Sequence, residues 1–252
     1  MIRLLTSALA ALSLLSFAAP VHALDITQMT EAERAVFRAE VRAYLMENPE
    51  VILEAVNVLE NRQAAAEAEA DLALVAENAE ALFNDGYSWV GGNPDGDITL
   101  VEFLDYRCAY CRRAMPEVAS LLASDGNIRL IVKELPILGE GSVLASRYAI
   151  ATKTVAGPHA YEQMHDALMA YQGEITMVAL GRMAEGLGLD GAAIAAEMDS
   201  EATSAEIART RDLAGRLKIS GTPTFVLQDE LLRGFLPADQ MALIVADKRA
   251  NR

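Results

Sequence analysis

The chain has 252 residues, 21 Lys+Arg against 36 Asp+Glu, and a formal charge of −15. That acidic balance excludes nucleic acid as a partner, because a phosphate backbone needs a basic face. At 52% hydrophobic and 23% charged the composition is globular rather than disordered. The only two cysteines, Cys108 and Cys111, exclude a disulfide scaffold, a Cys₄ zinc site and a cysteine-ligated iron–sulfur cluster.

Met1-Ile2-Arg3, an apolar run from Leu4 to Ala19 and Val21-His22-Ala23 read as a secretory signal peptide, cleaved after Ala23. The run is shorter than the ~20 residues that a spanning helix needs. No later segment is long and apolar enough to span a bilayer, so an exported protein without membrane insertion after cleavage is expected. In an oxidising compartment, a cysteine pair forms or exchanges disulfides.

Residues 24–86 are poor in Gly and Pro and rich in Ala, Glu and aliphatics. Thr30 followed by Glu33 is a capping box that starts a helix, and Phe37, Val41, Tyr44 and Leu45 share one of its faces. Asn48-Pro49 ends that helix and opens another, with Asn48 as its N-cap. Ile52, Val56 and Leu59 form a new stripe, which Leu72, Val75, Ala79 and Leu82 resume after an Ala/Glu stretch. Continuous from Pro49 to Phe83, the second helix would be about 50 Å long. A small domain does not cover such a length, and the a/d-like spacing predicts association between copies.

Asp85-Gly86 and residues 91–97 read as a turn-rich domain boundary; the acids there lack an EF-hand's ligand ladder. Ile98–Leu104 reads as a buried strand. It leads through Asp105-Tyr106-Arg107 into Cys108-Ala109-Tyr110-Cys111 and a helix with Met115, Ala119 and Leu122 inward. Ile128–Val132 reads as a second strand, and Ser142–Leu217 as helical segments. Thr224–Leu227 and Leu231–Phe235 read as a hairpin, and a last helix starts near Pro237. This order implies an α/β fold, a small mixed sheet covered by helices.

A C-x-x-C at a strand-to-helix junction has a physical logic. The helix N-terminus, with its unpaired N–H groups and dipole, favours an anion at Cys108. The thiolate is the nucleophile of disulfide exchange, and Cys111, one turn on, can resolve a mixed disulfide. Arg107, Arg112 and Arg113 can add positive potential. A zinc site needs two more ligands, and His159 and His165 are far along the chain and poorly spaced for one helical face. A structural disulfide closing so small a ring stabilises little. Copper(I) held by two thiolates is sound chemistry for soft sulfur. A periplasmic copper(I)-binding protein therefore stands as the alternative to a redox enzyme.

Glu102-Phe-Leu-Asp-Tyr-Arg-Cys108-Ala-Tyr-Cys111, Pro116, Lys133-Glu-Leu-Pro136-Ile-Leu-Gly139 and Ser220-Gly-Thr-Pro223-Thr-Phe together resemble the DsbA-like branch of the thioredoxin superfamily. Upstream, Val41-Arg-Ala-Tyr-Leu-Met-Glu-Asn-Pro49-Glu-Val-Ile-Leu-Glu-Ala55 is similar to the N-terminal region of the ScsC copper-sensitivity-suppressor proteins, periplasmic members of that branch. The residues thus predict a signal peptide at 1–23 and an all-helical oligomerisation region at 24–86. A thioredoxin-like mixed sheet would follow at 87–252, with a helical insertion at about 140–217. The resemblance further implies a periplasmic thiol–disulfide oxidoreductase, an isomerase or oxidase of exported cysteine-containing proteins, with a membrane redox partner protein. No cofactor and no metal are implied; a homo-oligomer is, as a trimer.

Residue by residue, the resemblance makes Cys108 the attacking sulfur and Cys111 the resolving one. Glu102 becomes the buried acid that moves protons at Cys111. Thr222 and Pro223 become the cis-proline loop that docks an extended substrate, with Tyr110 beside it, and Pro116 kinks the active-site helix. Two departures stand out. Ala109-Tyr110 replaces the oxidase's Pro-His or the ScsC type's Pro-Tyr, and Thr222 stands where the monomeric oxidase has Val. Tyr110 and Thr222 lean towards isomerase or reductase work.

Overall fold

A computed structural model of the chain describes residues 26–251; the expected signal peptide lies outside the described residues. Two compact units divide between Glu60 and Asn61.

In the first unit, helix α1 (Glu31–Glu47) begins with the expected capping box. Thr30 Oγ1 accepts the Glu33 N–H at 3.3 Å, and Glu33 accepts the Thr30 N–H at 2.8 Å. Asn48 departs from expectation. Its side chain turns back and donates to the Tyr44 carbonyl at 3.0 Å, so it closes α1 rather than capping helix α2 (Glu50–Glu77). An amide can donate to a helix's last carbonyls, and those are unsatisfied. No residue of α1 is buried. Phe37, Val41, Met46 and Ile52 border one apolar groove and are themselves exposed.

The second unit holds the end of α2, a short helix α3 (Ala79–Phe83) and the sheet. The long helix expected to reach Phe83 breaks at Asn78, whose side-chain amide donates to the Leu74 carbonyl at 2.9 Å. Val75 and Leu82 are buried, whereas Leu72 of the expected stripe is exposed.

The sheet has strands β1 (Trp89–Gly92), β2 (Ile98–Leu104), β3 (Ile128–Glu134), β4 (Thr224–Leu227) and β5 (Glu230–Arg233) in the order β1-β3-β2-β4-β5. Only β2 and β3 run parallel; the other neighbours are antiparallel. Strand β1 occupies a stretch that reads as part of a turn. Gly91 is there because the Trp89 ring lies across it, and a Cβ would meet that ring at 2.0 Å. Trp89 Nε1 donates to the Pro158 carbonyl at 2.9 Å.

Helix α4 (Ala109–Asp125) follows β2 and contains Pro116. Its inward stripe is Cys111, Ala114, Val118 and Leu121; Met115 and Leu122 are only half-buried and Ala119 is exposed. Between β3 and β4 lies the helical insertion, α5 (Glu140–Ala156), α6 (Pro158–Ala170), α7 (Met177–Gly186), α8 (Gly191–Glu197) and α9 (Glu201–Arg216). Helix α10 (Ala238–Ala250) closes the fold, and its Arg249 forks onto Asp97 and Asp125 at 2.6–2.8 Å.

The two sheet faces carry different cores. Leu100, Leu104 and Val132 join Cys111, Tyr106 and Tyr161 on one; Val101, Phe103 and Ile131 join Val75, Leu82 and Leu213 on the other. Strand β3 ends with a charge on each face. Lys133 is fully buried, with its ammonium on Asp85 and on the Ala81 carbonyl, while Glu134 lies buried on the opposite side.

Candidate active site

Strand β2 delivers the chain to a tight connection before α4, and Asp105 builds it. This buried carboxylate accepts the Arg107 N–H at 2.8 Å and the N–H groups of Ile137 and Leu138 at 2.8 and 3.0 Å. Cys108 follows as the N-cap residue of α4, in extended conformation, with no side-chain cap hydrogen bond. The first N–H groups and the dipole of α4 are therefore free to act on its sulfur.

Both cysteines are free thiols. Cys108 is 7% exposed, and its Sγ donates to the Thr222 carbonyl at 3.1 Å. The Thr222–Pro223 peptide is cis. One turn on, Cys111 has no exposure at all. Burial pushes its thiol well up. The backbone of Asp105 and the Thr222 hydroxyl pull it part of the way back, and negative charge at Cys108 and Glu102 opposes them. The Cys111 thiolate is thus costly, whereas Cys108 reaches the surface.

Glu102 lies on the same face of β2 as Leu100 and Leu104, beneath α4. It is buried, and its Oε1 has no hydrogen-bond partner. Burial, then the charge of Glu134, pushes its carboxyl up to about 8. Glu102 therefore holds a proton at neutral pH, within electrostatic reach of a sulfur that needs one.

This has a measurable consequence. The unfolded chain gives up the Glu102 proton near its ordinary value of 4.5, whereas the folded chain keeps it to about 8. Between those values the unfolded state binds fewer protons, so stability falls as pH rises, by up to about 1.4 kcal/mol per pH unit. Urea unfolding of the reduced protein from pH 5 to 8 should show that decline, and Glu102→Gln should make it shallower, leaving the share of Glu134, which ends near pH 7. An equal slope in the variant would place the proton elsewhere.

Tyr110 is 59% exposed beside Cys108. Two of the neighbouring arginines are engaged: Arg112 Nε donates to the Tyr106 carbonyl at 3.0 Å, and the Arg113 guanidinium lies 4.1 Å from the Phe235 ring centroid. The structure thus brings Cys108, Cys111, Glu102, Thr222 and Pro223 into one site, with Tyr110 on its rim. His159 is exposed on α6, whereas His165 packs against Tyr106 and Tyr161.

Sequence reasoning assigned no role to Asp105 or Glu134. Glu134 is buried and accepts from Tyr106 and Tyr161 at 2.6 Å each and from Ser146 at 2.8 Å. Burial raises its carboxyl to about 7 against the pull of those hydroxyls. The signal available was a Lys-Glu pair ending an apolar strand, which puts one charge on each face.

The DSBA-like thioredoxin domain model matches residues 99–246, and the model of the copper resistance protein ScsC N-terminal domain matches residues 33–66. The crystal structure of a thioredoxin-like oxidoreductase from Silicibacter pomeroyi DSS-3 is 43% identical, with a TM-score of 0.64, over 68% of this chain and 97% of that one. Proteus mirabilis ScsC in a transitional conformation is 27% identical, with a TM-score of 0.65, over 90% of this chain and 99% of that one. A Na(+)/H(+) antiporter NhaA 3 of Salinispora tropica is 35% identical over 136 residues, 54% of this chain; the chain spans only 21% of that relative's length. Among the described residues no helix is long and apolar enough to cross a membrane. On its matched residues and its mixed sheet with a helical insertion, the chain belongs to the DSBA-like thioredoxin domain family.

Proposed function

We propose that the protein is a periplasmic thiol–disulfide oxidoreductase of exported proteins that works through Cys108 and Cys111. One arrangement carries the reading: Cys108 at the uncapped start of α4, touching the Thr222 carbonyl, with buried Cys111 and a protonated Glu102 behind it.

In the oxidised form, a substrate thiolate attacks Cys108 and the Cys108–Cys111 bond breaks. Cys111 leaves as a thiolate and takes the proton of Glu102. A second substrate thiolate then attacks the substrate sulfur of the mixed disulfide, which forms the substrate disulfide and releases Cys108. In the reduced form, the Cys108 thiolate attacks a substrate disulfide; Glu102, once it has given up its own proton to water, takes that of Cys111, which resolves the adduct. The Thr222 backbone beside Pro223 pairs with an extended substrate segment, the strand-addition mode of peptide recognition. Tyr110 adds apolar contact on the rim.

The uncovered apolar faces of α1 and early α2 support homo-oligomerisation, and a trimer is the assembly we propose. Thr222 before the cis-proline and an oligomer that encloses a cleft both favour the isomerase direction. The mature chain would follow a signal peptide and exchange electrons with a membrane redox partner protein.

The deciding experiment gives the pure protein a scrambled multi-disulfide substrate and, separately, a reduced one, with a chelator present throughout. Many turnovers per molecule are expected. Tight binding of cuprous ion with no exchange would instead make the chain a copper(I)-binding protein.

A further inference from the structure

Strands β2 and β3 run parallel with Glu102 opposite Val132 and Leu104 opposite Glu134, so the two carboxyls lie on one face as diagonal neighbours. Both are buried. Among the described residues, no cationic side chain pairs with either; Lys153, 5.9 Å from the Tyr161 ring centroid, is paired with Glu206 at 2.7 Å. Two adjacent carboxyls without a counter-ion in a low-dielectric site cannot both ionise readily, so they share one negative charge.

The hydrogen bonds decide which of the two carries it. Glu134 receives three hydroxyl donors, from Tyr106, Tyr161 and Ser146, whereas Oε1 of Glu102 receives none. A carboxylate is an acceptor at every lone pair, so three donors select the anion at Glu134. Beyond them, His165 Nδ1 lies 3.1 Å from the Tyr106 hydroxyl. Burial pushes His165 down to about 4, so its ring is neutral. With its hydrogen on Nδ1, it donates to Tyr106, which donates to Glu134. The titratable groups facing the pair are thus Tyr106 after β2, Tyr161 and His165 on α6, Glu206 on α9, Lys153 on α5, and Cys111 on α4.

We propose that Glu134 is a positioning residue for the disulfide chemistry: selected over Glu102 as the anion of the pair by the hydroxyls of Tyr106, Tyr161 and Ser146, it keeps the proton on Glu102, ready for the departing Cys111 sulfur. The inference rests on Glu102 being the proton relay. When a substrate thiolate attacks Cys108, its sulfur is oxidised and the S–S electron pair goes to Cys111. The Glu102 proton follows, and the negative charge ends on Glu102. Because that end state leaves both carboxyls anionic, Glu134 secures the proton on Glu102 before the step and favours its return from Cys111 in the reverse one.

The test is the rate at which reduced glutathione opens the oxidised full-length protein, measured across pH 6–10 and corrected for the thiolate fraction of glutathione. The corrected rate of the natural protein should fall as Glu102 loses its proton, near about pH 8. Glu134→Gln should move that fall down by about one pH unit. Tyr161→Phe, which removes one donor from Glu134, should move it the same way by less. Glu102→Gln should abolish the fall, and adding Glu134→Gln to it should change nothing further.

A fall left in place by both Glu134→Gln and Tyr161→Phe overturns the proposal, while its loss in Glu102→Gln would keep the relay. A fall that Glu102→Gln leaves unchanged overturns the relay itself. Should Glu134→Gln fail to fold, Tyr161→Phe alone decides.

Discussion

With Cys108 replaced by serine, thiol–disulfide exchange is expected to fall to the uncatalysed background, a loss on the order of 10⁴-fold or more. Serine cannot form the mixed disulfide. It also removes the one sulfur that both reaches the surface and touches the Thr222 carbonyl. Cys111→Ser should behave differently. Attack at Cys108 persists but nothing resolves the adduct, so mixed disulfides with substrates accumulate and appear on non-reducing gels. The reverse pattern, with Cys111 forming the adducts, would overturn the assignment. It would also contradict the complete burial of Cys111.

The second large effect concerns assembly. Phe37, Val41 and Ile52 border the exposed groove of the first unit. Replacing all three by glutamate should turn an oligomer into a monomer that keeps its dithiol chemistry. Isomerase activity on a scrambled protein should then drop severalfold, while oxidation of reduced substrates continues at least as fast. Deletion of residues 24–60 should do the same. A cut extended to residue 84 is a poorer test, because it takes Val75 and Leu82 from the core of the second unit and loses stability of several kcal/mol. Light scattering that finds the intact mature protein monomeric would remove the basis for this prediction.

Strand β2 was legible in the sequence with its observed limits, because β-branched and apolar residues run unbroken between turn formers. The Cys108/Cys111 pair at the start of α4, the buried Glu102 and the cis peptide before Pro223 were legible as motifs. The face of α4 was not. Met115/Ala119/Leu122 and Cys111/Ala114/Val118/Leu121 both fit a helical period, and only the turn built by Asp105 decides that Cys111 points inward. Strand β1 was hidden by Gly91-Gly92, which signal a turn until the Trp89 ring is seen to cover Gly91 and the Ile128 carbonyl to crowd Gly92. Glu134 was invisible as a functional group, because its donors come from Tyr106, Ser146 and Tyr161, distant in the sequence.

The opposite charges at the end of β3 also bear on how the sheet finds its pairing. A slip of one residue along β2 would turn every side chain of β3 to the other face. The Lys133 ammonium would then enter a hydroxyl pocket shaped for an anion. Glu134 would land beside Asp85, where a cation now sits. Each misplaced charge would be buried without its partner, at a cost of about 3–5 kcal/mol. An all-aliphatic strand would tolerate such a slip far better. Lys133 and Glu134 therefore act as a register lock, and the two parallel strands beneath the cysteines have one favoured alignment.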